Sequence, residues 1–280
     1  MKRSRTWRAG RYVRVVAYDS VRKNDCPKAR QEKKLHSSRA QKEVNLRNSL
    51  AKLTTIIAEN FIDSPTAIYL TPTFDDDHYP TMARGSQYRE FVLREMKNYV
   101  NRMQYWAKKR GAILKAVYWP DVGEKGRWHI HMVVDGITLE DALALWPKGD
   151  CDHHYLYTDA KWVSDRDWST KQKNVNPVAI ARYAMGSAAA RKLGQHWWFH
   201  TRSCVVPKPD AAVSIRDEKS IEPPDGCEVL NKEIVETTYS RFVLWEYLLP
   251  TAKPKRQRKQ RGREPSGLGG SIIFNGKQRK

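Results

Sequence analysis

Two runs of strand-forming residues joined by a short polar link constrain this chain more than any other feature. Residues 112–119 (AILKAVYW) and 128–134 (WHIHMVV) are rich in β-branched and aromatic side chains. The link between them holds Pro120, Asp121, Gly123 and Gly126, the residue types of a hairpin connection. Strands tied this closely pair antiparallel, since a parallel pair needs a crossover of about a dozen residues or more.

Helical patterns surround the hairpin. Val44, Leu50, Leu53, Ile57 and Phe61 recur at helix-compatible spacings, with Ser37 or Ser38 available as N-cap. Residues 67–74 (AIYLTPTF) alternate as a strand, with Pro72 marking an edge position or the strand's end. A second amphipathic helix is expected over 88–110, with Phe91, Met96, Tyr99, Val100, Met103 and Trp106 as its stripe and Gly111 just past its end. Residues 139–146 read as a short helix, 178–193 as an Ala-rich helix stopped by Gly194, and 242–249 as a last strand or helix. Between them, 148–176 is polar and irregular, with short strands near 155–157 and 161–163. The expected fold class is α+β, an antiparallel sheet with residues 128–134 as a central strand, flanked by helices.

The net charge of +20 over 280 residues is unevenly spread. Residues 1–50 hold fifteen Lys/Arg against four acids, residues 251–280 hold ten against one, and the stretch between holds twenty-six of each. Basic chain ends of this kind suit neutralisation of nucleic-acid phosphates. The expected organisation is a basic arm at 1–38 carrying one short strand over 12–18, a main domain at 39–250 and a basic, disordered tail at 251–280. No run approaches eighteen consecutive apolar residues, which excludes a membrane span, and the apolar stretch 15–18 is too short for a signal peptide. Cys26, Cys151, Cys204 and Cys227 are scattered, as suits reduced thiols in a cytoplasm.

The chemistry-bearing residues lie on the second hairpin strand. His129 and His131 are two residues apart, so both imidazoles point to one face while Ile130 points to the other. Two neutral imidazoles so placed can share a divalent ion with an acid. Asp121 lies across the hairpin and reads equally as an oxygen ligand or as a turn former; Glu124, at the turn, is its competitor. Other clusters read as bland. Asp75-Asp76-Asp77-His78 suits a solvated loop or helix start, and Cys151-Asp152-His153-His154 a loop without a second zinc-ligand pair. Trp197-Trp198-Phe199 suits core packing as well as base stacking, and no phosphate-binding G-x-x-x-x-G-K-[ST] loop occurs.

The acid, the Gly-containing hairpin and the His129-Ile130-His131 strand resemble the histidine–hydrophobe–histidine motif of the HUH endonucleases, the superfamily of rolling-circle replication initiators in phages and plasmids. Upstream, Asn60-Phe61 and Tyr69-Leu70-Thr71-Pro72-Thr73-Phe74 resemble the family's first motif. Downstream, residues 139–149 and 197–207 resemble segments of phage and plasmid members, so the likeness runs over about 40–207. The resemblance implies that His129, His131 and Asp121 hold Mg²⁺ or Mn²⁺. It also implies that Tyr183 is the nucleophile that nicks single-stranded or extruded origin DNA through a 5′-phosphotyrosine. A separate host helicase and replication proteins would then be partners, in a bacterial or phage-infected cytoplasm.

One departure stands out. Positions 186, 187 and 190 are Gly, Ser and Ala where the family commonly has lysine, and sometimes a second tyrosine. Arg182, Arg191 and Lys192 are the nearest candidate supporting cations. Two alternatives follow: a noncatalytic nucleic-acid-binding protein with a degenerate site, or a relaxase or single-strand transposase of the same superfamily. The latter ranks lower because relaxases usually place the tyrosine before the histidines. Because the charge excess is terminal and the candidate residues are not, removing residues 251–280 should weaken DNA binding in a salt-titrated filter assay. Nicking of a short single-stranded oligonucleotide should persist.

Overall fold

The hairpin forms as its sequence requires, and it lies at the middle of a sheet. The computed structural model describes residues 2–19, 39–79, 86–123, 125–158, 163–167, 172–186, 197–236 and 241–251. All but Thr251 belong to one unit, Met1–Pro250. In chain order the strands are β1 (Lys2–Ala9), β2 (Tyr12–Asp19), β3 (Ile68–Pro72), β4 (Lys115–Val122), β5 (Trp128–Asp135) and β6 (Cys151–Tyr155). They continue with β7 (Val163–Asp167), β8 (Gln172–Val175), β9 (Phe199–His200), β10 (Val213–Ile215), β11 (Glu228–Glu236) and β12 (Arg241–Leu248). The helices are α1 (Arg39–Asn60), α2 (Ser86–Lys109), α3 (Leu139–Ala144) and α4 (Pro177–Gly186).

Two five-stranded antiparallel sheets carry the fold, in the orders β6-β3-β5-β4-β9 and β10-β1-β2-β12-β11; β7 and β8 pair separately. Strand β5 is central in the first sheet, as expected for an α+β fold. Its alternation divides two cores. Ile130, Met132 and Val134 pack with Val92, Met96, Tyr99, Val100 and Met103 of α2 and with Ala142 of α3. Val133, with Val117 and Trp119 of β4, packs instead with Leu53, Ile56 and Ile57 of α1 and with Ile180, Ala181 and Ala184 of α4. The helix that carries Tyr183 therefore lies on the sheet face that also holds His129 and His131.

Several ends follow from local chemistry. Lys108 and Lys109 lie in the last turn of α2, and Gly111 follows at φ 72°, a left-handed conformation that costs glycine little. Pro72 closes β3, which is an internal strand and not an edge. Asn60 ends α1 with a buried side chain whose Nδ2 donates to the carbonyls of Ile56 and Val205, while its Oδ1 accepts from the Val205 amide. That one side chain ties α1 to the segment after β9.

The structure differs from the sequence reading in two places. In the basic arm the strand read at 12–18 is present as β2, but it pairs with β1, which was not expected, as a hairpin of the second sheet; the rest of that arm, 20–38 and Met1, lies outside the described residues. Tyr12 and Val13 are buried on opposite faces, in separate cores. The arginines of β1 obscured this, as did the fact that the covering strand, β12, comes from the far end of the chain. Second, Cys151–Tyr155 is a strand paired along β3, not a loop. Of the helix read over 178–193, α4 is described over Pro177–Gly186, and residues 187–193 lie outside the described residues. Residues 242–249, read as strand or helix, prove to be a strand, β12 over Arg241–Leu248. Ser37, Ser38 and 252–280 lie outside the described residues. No described helix is long and apolar enough to cross a membrane.

Ile130 is fully buried beneath the histidine pair. Ile130→Ala is expected to destabilise the protein by about 2–5 kcal/mol in urea unfolding, the usual cost of such a truncation in a packed core.

Candidate metal and nucleophile site

Register assembles the site. In the β4–β5 pair Asp121 stands directly opposite His129, and Trp119 opposite His131. Cross-strand partners share a face, so the carboxylate and both imidazoles project to the α4 side. Their ligand atoms all lie within 4.8 Å of one another. Glu124, the competing acid, lies outside the described residues.

The nitrogens converge closely. His129 Nε2 and His131 Nε2 are 3.0 Å apart, Asp121 Oδ2 is 3.5 Å from His131 Nε2, and the Tyr183 hydroxyl is 3.2 Å from that same nitrogen. Thr71 Oγ1 lies 3.3 Å from His131 Nδ1. With its proton on Nδ1, His131 donates to Thr71 and turns the Nε2 lone pair into the site. Such an outer partner is what orients a metal-binding imidazole. Asp121 is held in turn by the Val122 amide, which donates to Oδ1 at 2.7 Å.

The donor set fits a divalent cation. Two imidazole nitrogens this close cannot both present lone pairs to each other without a proton or a cation between them. Two ligands at right angles, each about 2.1 Å from one ion, are themselves about 3.0 Å apart. Two imidazoles and one carboxylate form a mixed set that suits several first-row divalent ions, with room for further oxygen ligands. Asp121, His129 and His131 can thus hold a metal ion, and they are the one such group among the described residues.

Tyr183 approaches this group on α4. Asn176 caps the helix, its Oδ1 accepting from the amides of Val178 and Ala179, and Pro177 at the first position has no amide to satisfy. The Tyr183 ring meets the His131 ring edge-on, with centroids 5.2 Å apart, and Trp119 flanks both. Burial first, and the Asp121 carboxylate second, push the Tyr183 phenol above its ordinary range. A phenol so placed needs nearby positive charge before it can react as an oxyanion.

The candidate supporting cations do not fill that role among the described residues. Arg182 points its guanidinium at Asn231 on β11, donating to Oδ1 at 2.9 Å. Arg191 and Lys192 lie outside the described residues. Gly186, where the resemblance expects lysine, is exposed and open enough to admit a side chain. The clusters read as bland are structural. Asp75 accepts from the His78 amide and ring, Asp76 pairs with Arg127, and Trp198 Nε1 donates to Ser49 Oγ. Thr71 and Trp119 are the neighbours of His131 that sequence reasoning passed over. Both follow from counting two residues along each adjacent strand.

A family model for replication-associated proteins of the ORF2 type matches residues 67–183. The match begins beside β3, contains Asp121, His129 and His131, and ends on Tyr183. It is similarity to a replication-associated family over the part of the chain that builds this site. Neither a curated protein nor a solved structure matches the chain.

Asp121→Asn removes one of the two causes that raise the Tyr183 phenol. Its pKa should fall toward the ordinary tyrosine value, so that phenolate appears at lower pH when tyrosine Cζ signals are followed by NMR in the presence of chelator. An unchanged titration would leave burial as the whole cause.

Proposed function

We propose that this chain is a metal-dependent, site-specific single-stranded DNA endonuclease and strand transferase that nicks an origin to start rolling-circle replication. The observation that carries this reading is the approach of the Tyr183 hydroxyl to within 3.2 Å of His131 Nε2, on the face shared with His129 and Asp121. A nucleophile beside a cation-binding group is the minimum a phosphodiester transferase needs. The family-model match, which covers these four residues, supports a role in replication.

The residues divide the work. His129, His131 and Asp121 would hold Mg²⁺ or Mn²⁺. That ion would supply charge to polarise the scissile phosphate and to favour the phenolate. Tyr183 Oη attacks phosphorus and the bond from phosphorus to the 3′ oxygen breaks. The phenol gives up its proton and the departing 3′ oxygen gains one. The products are a 5′-phosphotyrosine and a free 3′-hydroxyl, which can prime synthesis or later attack the same linkage to rejoin a strand. Trp119 and Tyr69 wall the inner side of the His131 ring, at centroid distances of 5.6 and 5.7 Å, and keep it from turning away. Base-paired DNA presents its backbone poorly to a site on a sheet face, so the substrate is single-stranded or extruded. With no nucleotide-binding loop in the sequence, unwinding falls to a separate helicase.

Incubation with supercoiled origin plasmid and Mn²⁺ tests this. Wild-type protein should nick and retain a covalent 5′-linked strand, whereas Tyr183→Phe and His129→Ala should each lose at least about a hundredfold in rate, the scale on which single catalytic groups act. DNA binding without any adduct would favour the noncatalytic reading. Normal nicking by Tyr183→Phe would remove Tyr183 as the nucleophile.

A further inference from the structure

The second sheet has no part in the chemistry just proposed, yet one row of its side chains reaches the helix that bears Tyr183. Arg14 on β2, Glu246 on β12 and Asn231 on β11 are successive cross-strand partners. Glu246 is only 4% exposed, so its charge must be met inside the protein. The Tyr12 hydroxyl donates to its Oε1 at 2.6 Å, Arg14 lies 3.7 Å from the same oxygen, and Asn231 Nδ2 donates to Oε2 at 2.7 Å. Asn231 then accepts, through Oδ1, the 2.9 Å hydrogen bond from Arg182 of α4. Arg182 immediately precedes Tyr183.

Two further observations mark this row as built. The β11–β12 register slips between Val229 and Asn231, a β-bulge that brings Asn231 opposite Glu246. Bulges are a device for re-aiming one side chain, and they gather near active sites. The side-chain amide of Asn231 suits the link. Asparagine offers a donor to the carboxylate and an acceptor to the guanidinium, which neither a carboxylate nor an ammonium group does.

We propose that Asn231 and Glu246 are positioning residues that act through Arg182 to hold α4 at the angle that sets the Tyr183 hydroxyl beside His131. The second sheet is then a brace for the nucleophile helix. This rests on the reading of Tyr183 as the nucleophile. Packing of α4 on α1 through Ala181, Ala184 and Met185 buries one side of the helix; the Arg182 contact restrains rotation from the other.

The test is a rescue. Asn231→Asp sets a carboxylate against Glu246, and Asn231→Ala removes the link. Asn231→Asp combined with Glu246→Gln restores it with the roles exchanged. The new carboxylate accepts from Arg182, and the new amide donates to that carboxylate and accepts from Tyr12. In single-turnover adduct formation on a short single-stranded oligonucleotide, each Asn231 single variant should slow the covalent step by about tenfold or more, since small misplacements of a reacting group are costly. Oligonucleotide Kd and Mn²⁺ affinity should stay unchanged, and the double variant should recover most of the rate. Wild-type rates in the single variants, or a double variant no faster than Asn231→Asp, would overturn the proposal. If wild-type protein forms no adduct, the nickase reading fails, and amide exchange in Asn231→Ala decides the brace alone. Faster exchange confined to residues 177–186 supports it, and unchanged exchange there rejects it.

Discussion

The register of β4 against β5 is the constraint on which the rest of the site depends. Because side chains alternate with a period of two, a slip of one residue would turn Asp121 away from the histidines and bring Pro120 or Val122 to their face. A slip that inverted β5 instead would carry His129 and His131 into the α2 core and take Ile130, Met132 and Val134 out of it. The hydrophobic requirement of one face thus enforces the chemical arrangement of the other. The short connection, with the Gly123 carbonyl accepting from Gly126 and the Gly123 amide donating to Arg127, leaves the pairing little freedom to shift.

Around that pair the molecule is layered so that polar atoms appear where chemistry needs them and are satisfied elsewhere. On the site face, Val133 and Val117 are covered by α1 and α4, whereas His129 and Asp121, nearer the hairpin end, are only partly covered. The Tyr183 phenol lies at this boundary, buried enough to resist ionisation and close enough to a cation-binding group for that resistance to be relieved.

The basic surplus of the chain takes on a different meaning in three dimensions. Among the cations of the β1–β2 hairpin, Lys2 pairs with Glu218, Arg11 of the turn with Asp63 and Arg14 with Glu246. These three charges, which read as part of an arm for phosphates, are paired within the fold. The Lys2 and Arg11 pairs are partly exposed and contribute little to stability individually, so their effect is chiefly to lower the free charge of the N-terminal hairpin.

How much was legible in the residues depends on the range of the interaction that decides each feature. The β4–β5 hairpin, α2 with its Gly111 stop, the shared face of His129 and His131, and the place of Asp121 all arise from neighbours within about fifteen residues. Periodicity and turn chemistry report these directly. The second sheet was not legible, because β2 is sandwiched between β1 and a strand more than two hundred residues later. No local pattern records such a partner. Residues 208–250 carried no functional signal for the same reason, since Asn231 and Glu246 acquire their meaning only from Arg182, Arg14 and Tyr12. Local order thus wrote the ligand set and the candidate nucleophile into the sequence. Long-range pairing alone decided that these meet at one point, and that a distant sheet reaches the helix that brings Tyr183 to it.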